Sequence, residues 1–264
     1  MVDSEPLGIF PFGQPVRRVV QQEKSHKRVF VLGVYASAVH ALWIGSSGKK
    51  KIKALAVASE PCIFWQGDDT ESIIKHIIIP KELGTLLPAA PNFNGPSGKA
   101  LDDYILEPMG VSREQTWLCD LVPYSCVNSS QRAAIEREYQ PSIKRYGLPV
   151  PSVPKLPHPL VDKTRQWDIL AEIKDSCADY LILLGDQPIK WFLSVFDPLS
   201  RKRLASFGTD AGLYGRLITT SIGERIMQVL PLAHPRQVAK LGKSSIHWYE
   251  LHQDWIKNIA SSLL

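Results

Sequence analysis

The stretch Val229-Leu230-Pro231-Leu232-Ala233-His234-Pro235-Arg236 is an apolar run that stops on His-Pro-Arg. Five to six residues on comes a small basic segment, Leu241-Gly242-Lys243-Ser244-Ser245. A buried strand that ends on a histidine puts an imidazole at the carboxyl edge of a sheet, where α/β proteins keep ligand sites. The proline fixes the backbone beside it, and the cations beyond suit a phosphate-bearing partner.

Other runs carry the same signature. Arg28-Val29-Phe30-Val31-Leu32-Gly33 is β-branched and aromatic and ends on glycine, the pattern of a buried parallel strand opening into a loop. Thr116 to Val122 is a second buried strand, with Asp120 between apolar neighbours, and Tyr180 to Gly185 is a third. Residues 39–44 and 52–58 read as a hairpin around a basic tip, Lys49-Lys50-Lys51. Residues 213–220 and 224–230 read as a closing strand pair.

Helices are expected over 100–109, 130–146 with Ser130 as cap, 167–177, 188–195 and 246–263, while 71–79 fits helix or strand. The proline-rich stretch 148–160 reads as an extended connector. Strands alternating with helices predict an α/β fold, a central mainly parallel sheet flanked by helices on both faces, with an added β-hairpin. One domain over residues 1–264 is expected.

Composition sets outer bounds. The chain has 264 residues, 44% hydrophobic and 22% charged, with a net charge of +5. That suits a globular protein with mild basicity, compatible with nucleic acid without demonstrating it. No segment is long and apolar enough for a membrane span, and Met1-Val2-Asp3-Ser4-Glu5-Pro6 does not read as a signal peptide. Cys62, Cys119, Cys126 and Cys177 lack CxxC spacing. Cys119 and Cys177 read as core thiols, and a reducing cytoplasm is the expected compartment. No metal is expected.

Taken in order, Gly33-Val34-Tyr35-Ala36-Ser37, Phe93-Asn94-Gly95-Pro96-Ser97-Gly98, Asp120 in its strand and His234-Pro235-Arg236 resemble the motifs of the uracil-DNA glycosylase superfamily. The stretch 92–131 looks most like the bacterial and archaeal branches that often carry an iron-sulfur cluster, and the resemblance spans roughly residues 28–245. It implies an enzyme that flips a base out of DNA and cleaves its N-glycosidic bond. The first loop would border the base, Phe93 would stack on it, and a strand residue would read its edge. The late His-Pro loop would serve catalysis.

The departures are informative. The cluster cysteines are missing, with Tyr124 and Tyr139 near two of their places, so no cofactor is expected. Val34 and Tyr35 stand where relatives carry an acid, so the usual water-activating carboxylate is absent there. Ser37 stands where uracil-specific enzymes carry a tyrosine crowding the pyrimidine C5 edge, which leaves room for a C5 substituent. Asp120 stands where they carry the base-reading asparagine. A carboxyl suits the exocyclic amine of cytosine better than the carbonyl of uracil, and burial would raise its pKa toward the protonated form. A wrong base leaves buried polar groups unpaired at a cost of about 1–3 kcal/mol each.

The expected function is therefore a DNA glycosylase for a 5-substituted cytosine, with an anti-phage role in view. His234 and Asp120 are its catalytic candidates. Phe93, Asp120, Gly33, Val34, Tyr35 and Ser37 contact the base, while Ser97, Gly98, Lys99, Arg236, Lys240, Leu241 and Lys243 contact DNA. The expected partner is single- or double-stranded DNA carrying a modified base, bound by a monomer. The open alternatives are a catalytically inactive module that binds modified or damaged DNA, a uracil-DNA glycosylase of base excision repair, and an unrelated α/β nucleotide hydrolase. Each candidate also has a plain structural reading: a core histidine, a loop anchor at Phe93, a structurally bonded Asp120, a solvated basic loop.

Overall fold

A computed structural model describes residues 5–241 and 246–264. Its strands are β1 (Gly8–Ile9), β2 (Pro15–Val16), β3 (Val29–Tyr35), β4 (Ala38–Ile44), β5 (Lys50–Ser59), β6 (Thr85–Pro88), β7 (Thr116–Val122), β8 (Tyr180–Leu184), β9 (Ile218–Ile222) and β10 (Arg225–Leu232). Its helices are α1 (Thr70–Lys75), α2 (Pro96–Leu101), α3 (Ser129–Glu138), α4 (Gln140–Tyr146), α5 (Lys163–Ser176), α6 (Asp186–Trp191), α7 (Pro235–Val238) and α8 (Ile246–Asn258). The fold is α/β, and contacts gather into two compact units.

One unit comprises Val20–Val34, Ser97–Val122 and the chain from Pro157 onward. It holds a five-stranded sheet in the order β7-β3-β8-β10-β9. β3 and β10 both run parallel to β8, and β9 pairs antiparallel with β10. The Arg28 amide donates to the Gln115 carbonyl at 2.9 Å just before β3 and β7 start, so these two strands also run the same way. The sheet is mixed but mostly parallel. Its inner strands are near-continuous apolar runs, as burial on both faces demands.

The other unit comprises the described chain up to Val19 with Tyr35–Pro96 and Pro123–Leu156. It holds an antiparallel sheet in the order β5-β4-β6 and the short β1-β2 pair. The expected hairpin is therefore β4-β5, but it belongs to a sheet of three. β6 is short and largely exposed, so its sequence lacks the apolar alternation that marks a strand. Phe12, Trp43 and Tyr139 pack edge-to-face at the centre of this unit's core. The Tyr139 hydroxyl accepts from the Phe12 amide at 3.0 Å and donates to the Pro149 carbonyl at 3.1 Å.

Several expectations need correction. The helix over 130–146 is broken at Tyr139 into α3 and α4, because Pro141 has no amide to continue the ladder. Its cap is Asn128, whose Oδ1 accepts from the Gln131 amide at 2.9 Å, and not Ser130. α2 begins at Pro96 rather than Ala100, since proline fits the first helical position. It runs into a π-helical turn, Asp102–Leu106. The segment 71–79 is helical only as α1, and α5 starts at Lys163 behind an Asp162 cap. Leu213 to Leu217 is not strand, and β9 begins at Ile218. Cys119 is buried as expected, but Cys177 is exposed in the left-handed turn that ends α5. Among the described residues, no helix is long and apolar enough to cross a membrane.

Candidate functional site

The carboxyl ends of the inner strands define the candidate site. Register places Leu184 level with Leu232, and Leu32 level with Leu183, so Gly33, Leu184 and Leu232 share one rim. Phe30 stacks on Trp117 with ring centroids 6.4 Å apart, which puts Asp120 within about a residue of the level of Gly33. His234 follows two residues after β10 on the same rim. Asp120, Gly33 and His234 thus share one sheet edge. Three inter-strand steps of about 4.8 Å separate the ends of β7 and β10 by ~14 Å.

Asp120 is 4% exposed, and among the described residues its carboxyl oxygens have no hydrogen-bond or ion-pair partner. Its backbone, by contrast, is firmly held. β7 is an edge strand, and its outer carbonyls need donors. Arg165 on α5 grips this end of the strand, donating Nη2 to the Asp120 carbonyl at 2.6 Å and Nε to the Leu121 carbonyl at 3.1 Å. Glu172 orients the guanidinium at 3.0 Å and also accepts from the Trp117 indole at 3.0 Å. Burial pushes the pKa of Asp120 up to about 7, opposed by Arg165 and reinforced by Glu172. Near neutrality the group can accept or donate.

His234 caps α7. Its Nδ1 accepts from the Arg236 amide at 3.2 Å, and its own amide donates to Gln237 Oε1 at 3.1 Å. Burial lowers its pKa to about 4, with a further push from the Arg236 cation. The ring is therefore neutral at pH 7, and with Nδ1 accepting, the proton resides on Nε2. It is a neutral donor held by a turn of fixed geometry. Gly185, at the end of β8, has φ +85, and a Cβ there would meet the His234 Cβ at 3.2 Å. The close approach of the β8 and β10 ends requires that glycine.

Other predicted residues of this unit spread around the rim. Val34 is half-buried at the end of β3. Ser97, Gly98 and Lys99 lie in α2, and the buried Gly98 gives its carbonyl to Arg113 at 3.3 Å. α7 packs against the π-helical turn that continues α2. Arg113 also pairs with Asp102 at 2.8 Å, a structural commitment. Arg236 is exposed, Leu241 is 36% exposed, and the Lys240 ammonium lies 3.8 Å from the centre of the Tyr249 ring. Lys243 lies outside the described residues.

Phe93, Tyr35 and Ser37 belong to the other unit. Phe93 is 38% exposed, so it does not anchor its loop. The anchor is Asn94, whose Oδ1 accepts from the His40 amide at 2.8 Å and whose Nδ2 donates to the His40 carbonyl at 3.0 Å. Gly95, at φ +73, lets this turn press on the Gln66 backbone, where a Cβ would fall 2.0 Å from the carbonyl carbon. The turn is fixed, and its aromatic ring is partly exposed with its centroid 6.4 Å from that of the His40 ring. Tyr35 is 49% exposed, and Ser37 is held at both backbone groups. Its amide donates to Glu60 Oε1 at 3.0 Å, and its carbonyl accepts from the Ser125 hydroxyl.

Asn94, Arg165 and Glu60 were not found from sequence. Glu60 is 5% exposed directly after β5, and a carboxylate ending a long strand was its only signal. Among the described residues no group of three or more His, Cys, Asp or Glu side chains could hold a metal ion. Comparison with protein-family models and with curated proteins returns no match for this chain.

Proposed function

We propose that this protein is a DNA glycosylase of uracil-DNA glycosylase-like fold that releases a 5-substituted cytosine. The carrying observation is the buried, unpartnered carboxyl of Asp120 on the sheet edge that also bears the neutral His234. A protein that buries a carboxyl without a partner loses stability, and such groups concentrate at functional sites.

Protonated, the carboxyl complements cytosine: its carbonyl accepts from the N4 amine and its hydroxyl donates to N3. Uracil offers a carbonyl and an N–H at those places, so it needs the proton on the other carboxyl oxygen. The ionised carboxyl, which only accepts, is repelled by uracil O4 where it would gain the N4 amine of cytosine. As the bond between C1′ and N1 breaks, its electron pair passes into the base and charge collects on O2. The His234 Nε2–H donates to that oxygen. Water adds to C1′, its proton goes to solvent, and the base anion takes up a proton from solvent, leaving an abasic sugar and the free base. The resemblance assigns the exposed Phe93 to stacking on an extruded base and the small Ser37 to its C5 side. Arg236 and Lys240 supply cations for backbone phosphates.

The test uses duplexes carrying uracil, cytosine, 5-hydroxymethylcytosine or glucosylated 5-hydroxymethylcytosine. Alkali-labile abasic sites are expected in the strands with substituted cytosine and are lost with His234→Ala. Abasic sites in the uracil strand alone would contradict the proposal.

A further inference from the structure

A chain of buried hydrogen bonds ends on the residue before His234. The Ala233 amide, fully buried, donates to the Tyr214 hydroxyl oxygen at 3.0 Å. That oxygen lies 2.8 Å from Nδ1 of His252 on α8, and Nε2 of His252 lies 2.7 Å from the Tyr104 carbonyl. Tyr214 is 1% exposed and His252 0%.

The direction of every bond follows from chemistry. The Tyr104 carbonyl lies in the π-helical turn, where the amide five residues on would close the bond. The Met109 amide goes instead to the Ile105 and Leu106 carbonyls at 3.3 and 3.1 Å, and Pro108 before it has no amide to give. The orphaned carbonyl needs a donor, and only a protonated Nε2 of His252 can supply it. Burial lowers the pKa of His252 to about 4, so the ring is neutral and Nδ1 is left to accept. The Tyr214 O–H must then donate to Nδ1, which turns its oxygen lone pairs toward the Ala233 amide. One carbonyl, which can only accept, thus sets the polarity of a relay that ends on the His234 turn.

The relay is built to hold still. Asp210 Oδ1 accepts from the amides of Gly212 and Leu213 at 3.0 and 3.1 Å, and this turn delivers Tyr214. The Trp255 indole, fully buried, donates to the Gly215 carbonyl at 3.0 Å and lies 4.7 Å from the His252 ring. Nothing in hydrophobic packing asks for a tyrosine hydroxyl and a histidine here, and two buried polar groups cost stability unless paired.

We propose that Tyr214 and His252 are positioning residues that fix the Ala233–His234 turn, and with it the donor nitrogen of His234, through a single directed hydrogen-bond chain from the Tyr104 carbonyl. This role rests on the reading of His234 as the group that faces the departing base.

The test is NMR of ring-labelled histidines with amide exchange, on the full chain and without substrate. In the wild-type protein His252 should show a protonated Nε2 and an accepting Nδ1 across pH 5–8. The Ala233 amide should be protected, and His234 should be a single Nε2–H tautomer. In Tyr214→Phe the Ala233 amide should exchange at least tenfold faster, and His234 should become a tautomer mixture. His252→Gln can accept at one atom and donate at the other, so it should retain the wild-type His234 signature, whereas His252→Leu should lose it. A reversed His252 tautomer in the wild type overturns the proposal even if no variant folds. So does an unchanged His234 signature in folded Tyr214→Phe. Failure of the glycosylase reading looks different: the NMR effects persist, but the wild-type protein releases no base. Where base is released, Tyr214→Phe should lower kcat at least tenfold with KM unchanged.

Discussion

Asp120 and the histidines His234 and His252 pull stability in opposite directions with pH. Asp120 has a folded pKa of about 7, above its unfolded value, so the folded chain holds a proton that the unfolded chain gives up. Its contribution is present below about pH 4 and is lost as pH rises to about 7. His234 and His252 have folded pKa values of about 4, below the unfolded value, so their contributions are present above about pH 6.5 and are lost as pH falls toward 4. Asp120→Asn removes the first effect alone. It should stabilise the protein at pH 8 by on the order of 1–4 kcal/mol and by little at pH 4, read from urea melts at the two values. Equal shifts at both pH values would mean that the carboxyl is solvated or paired. Asp120 was legible because a carboxylate amid Leu118, Cys119, Leu121 and Val122 must be exceptional. Arg165, which holds its backbone, was not, because a cation on an amphipathic helix looks like any solvated residue until α5 is laid along β7.

At the level of elements, the close approach of the β8 and β10 ends carries the His234 turn. Gly185→Ala places a Cβ against His234 and forces a left-handed φ on an alanine. It should cost about 1–3 kcal/mol of stability and lower base release more than tenfold, measured by denaturant melts and abasic-site yield. A folded variant with full activity would show that the turn tolerates displacement. The buried strands were readable as elements because their apolar runs are bounded by glycine and charge. The break at Tyr139 was signalled by Pro141, yet the helical pattern on both sides masked it. β6 gave no signal, since a four-residue edge strand buries almost nothing.

At the scale of the whole molecule, composition placed the chain among mildly basic globular proteins, and the order of strands and helices gave the α/β class. The added β-hairpin proved to be two strands of a separate three-stranded sheet. The relay beneath the His234 turn could not be read from sequence, because its links join residues 19, 38 and 148 positions apart. Tyr214 sat in an expected strand and His252 on an expected amphipathic helix, where neither residue stands out. What the sequence did display was chemistry on strand ends, and from it comes the central claim that Asp120 selects the base. The direct measurement is base release by wild-type and Asp120→Asn protein from paired duplexes carrying 5-hydroxymethylcytosine or uracil. The wild type should release the substituted cytosine in preference to uracil, and Asp120→Asn should move that preference toward uracil by at least tenfold. An unchanged preference in the folded variant, or wild-type release of uracil alone, would contradict the account.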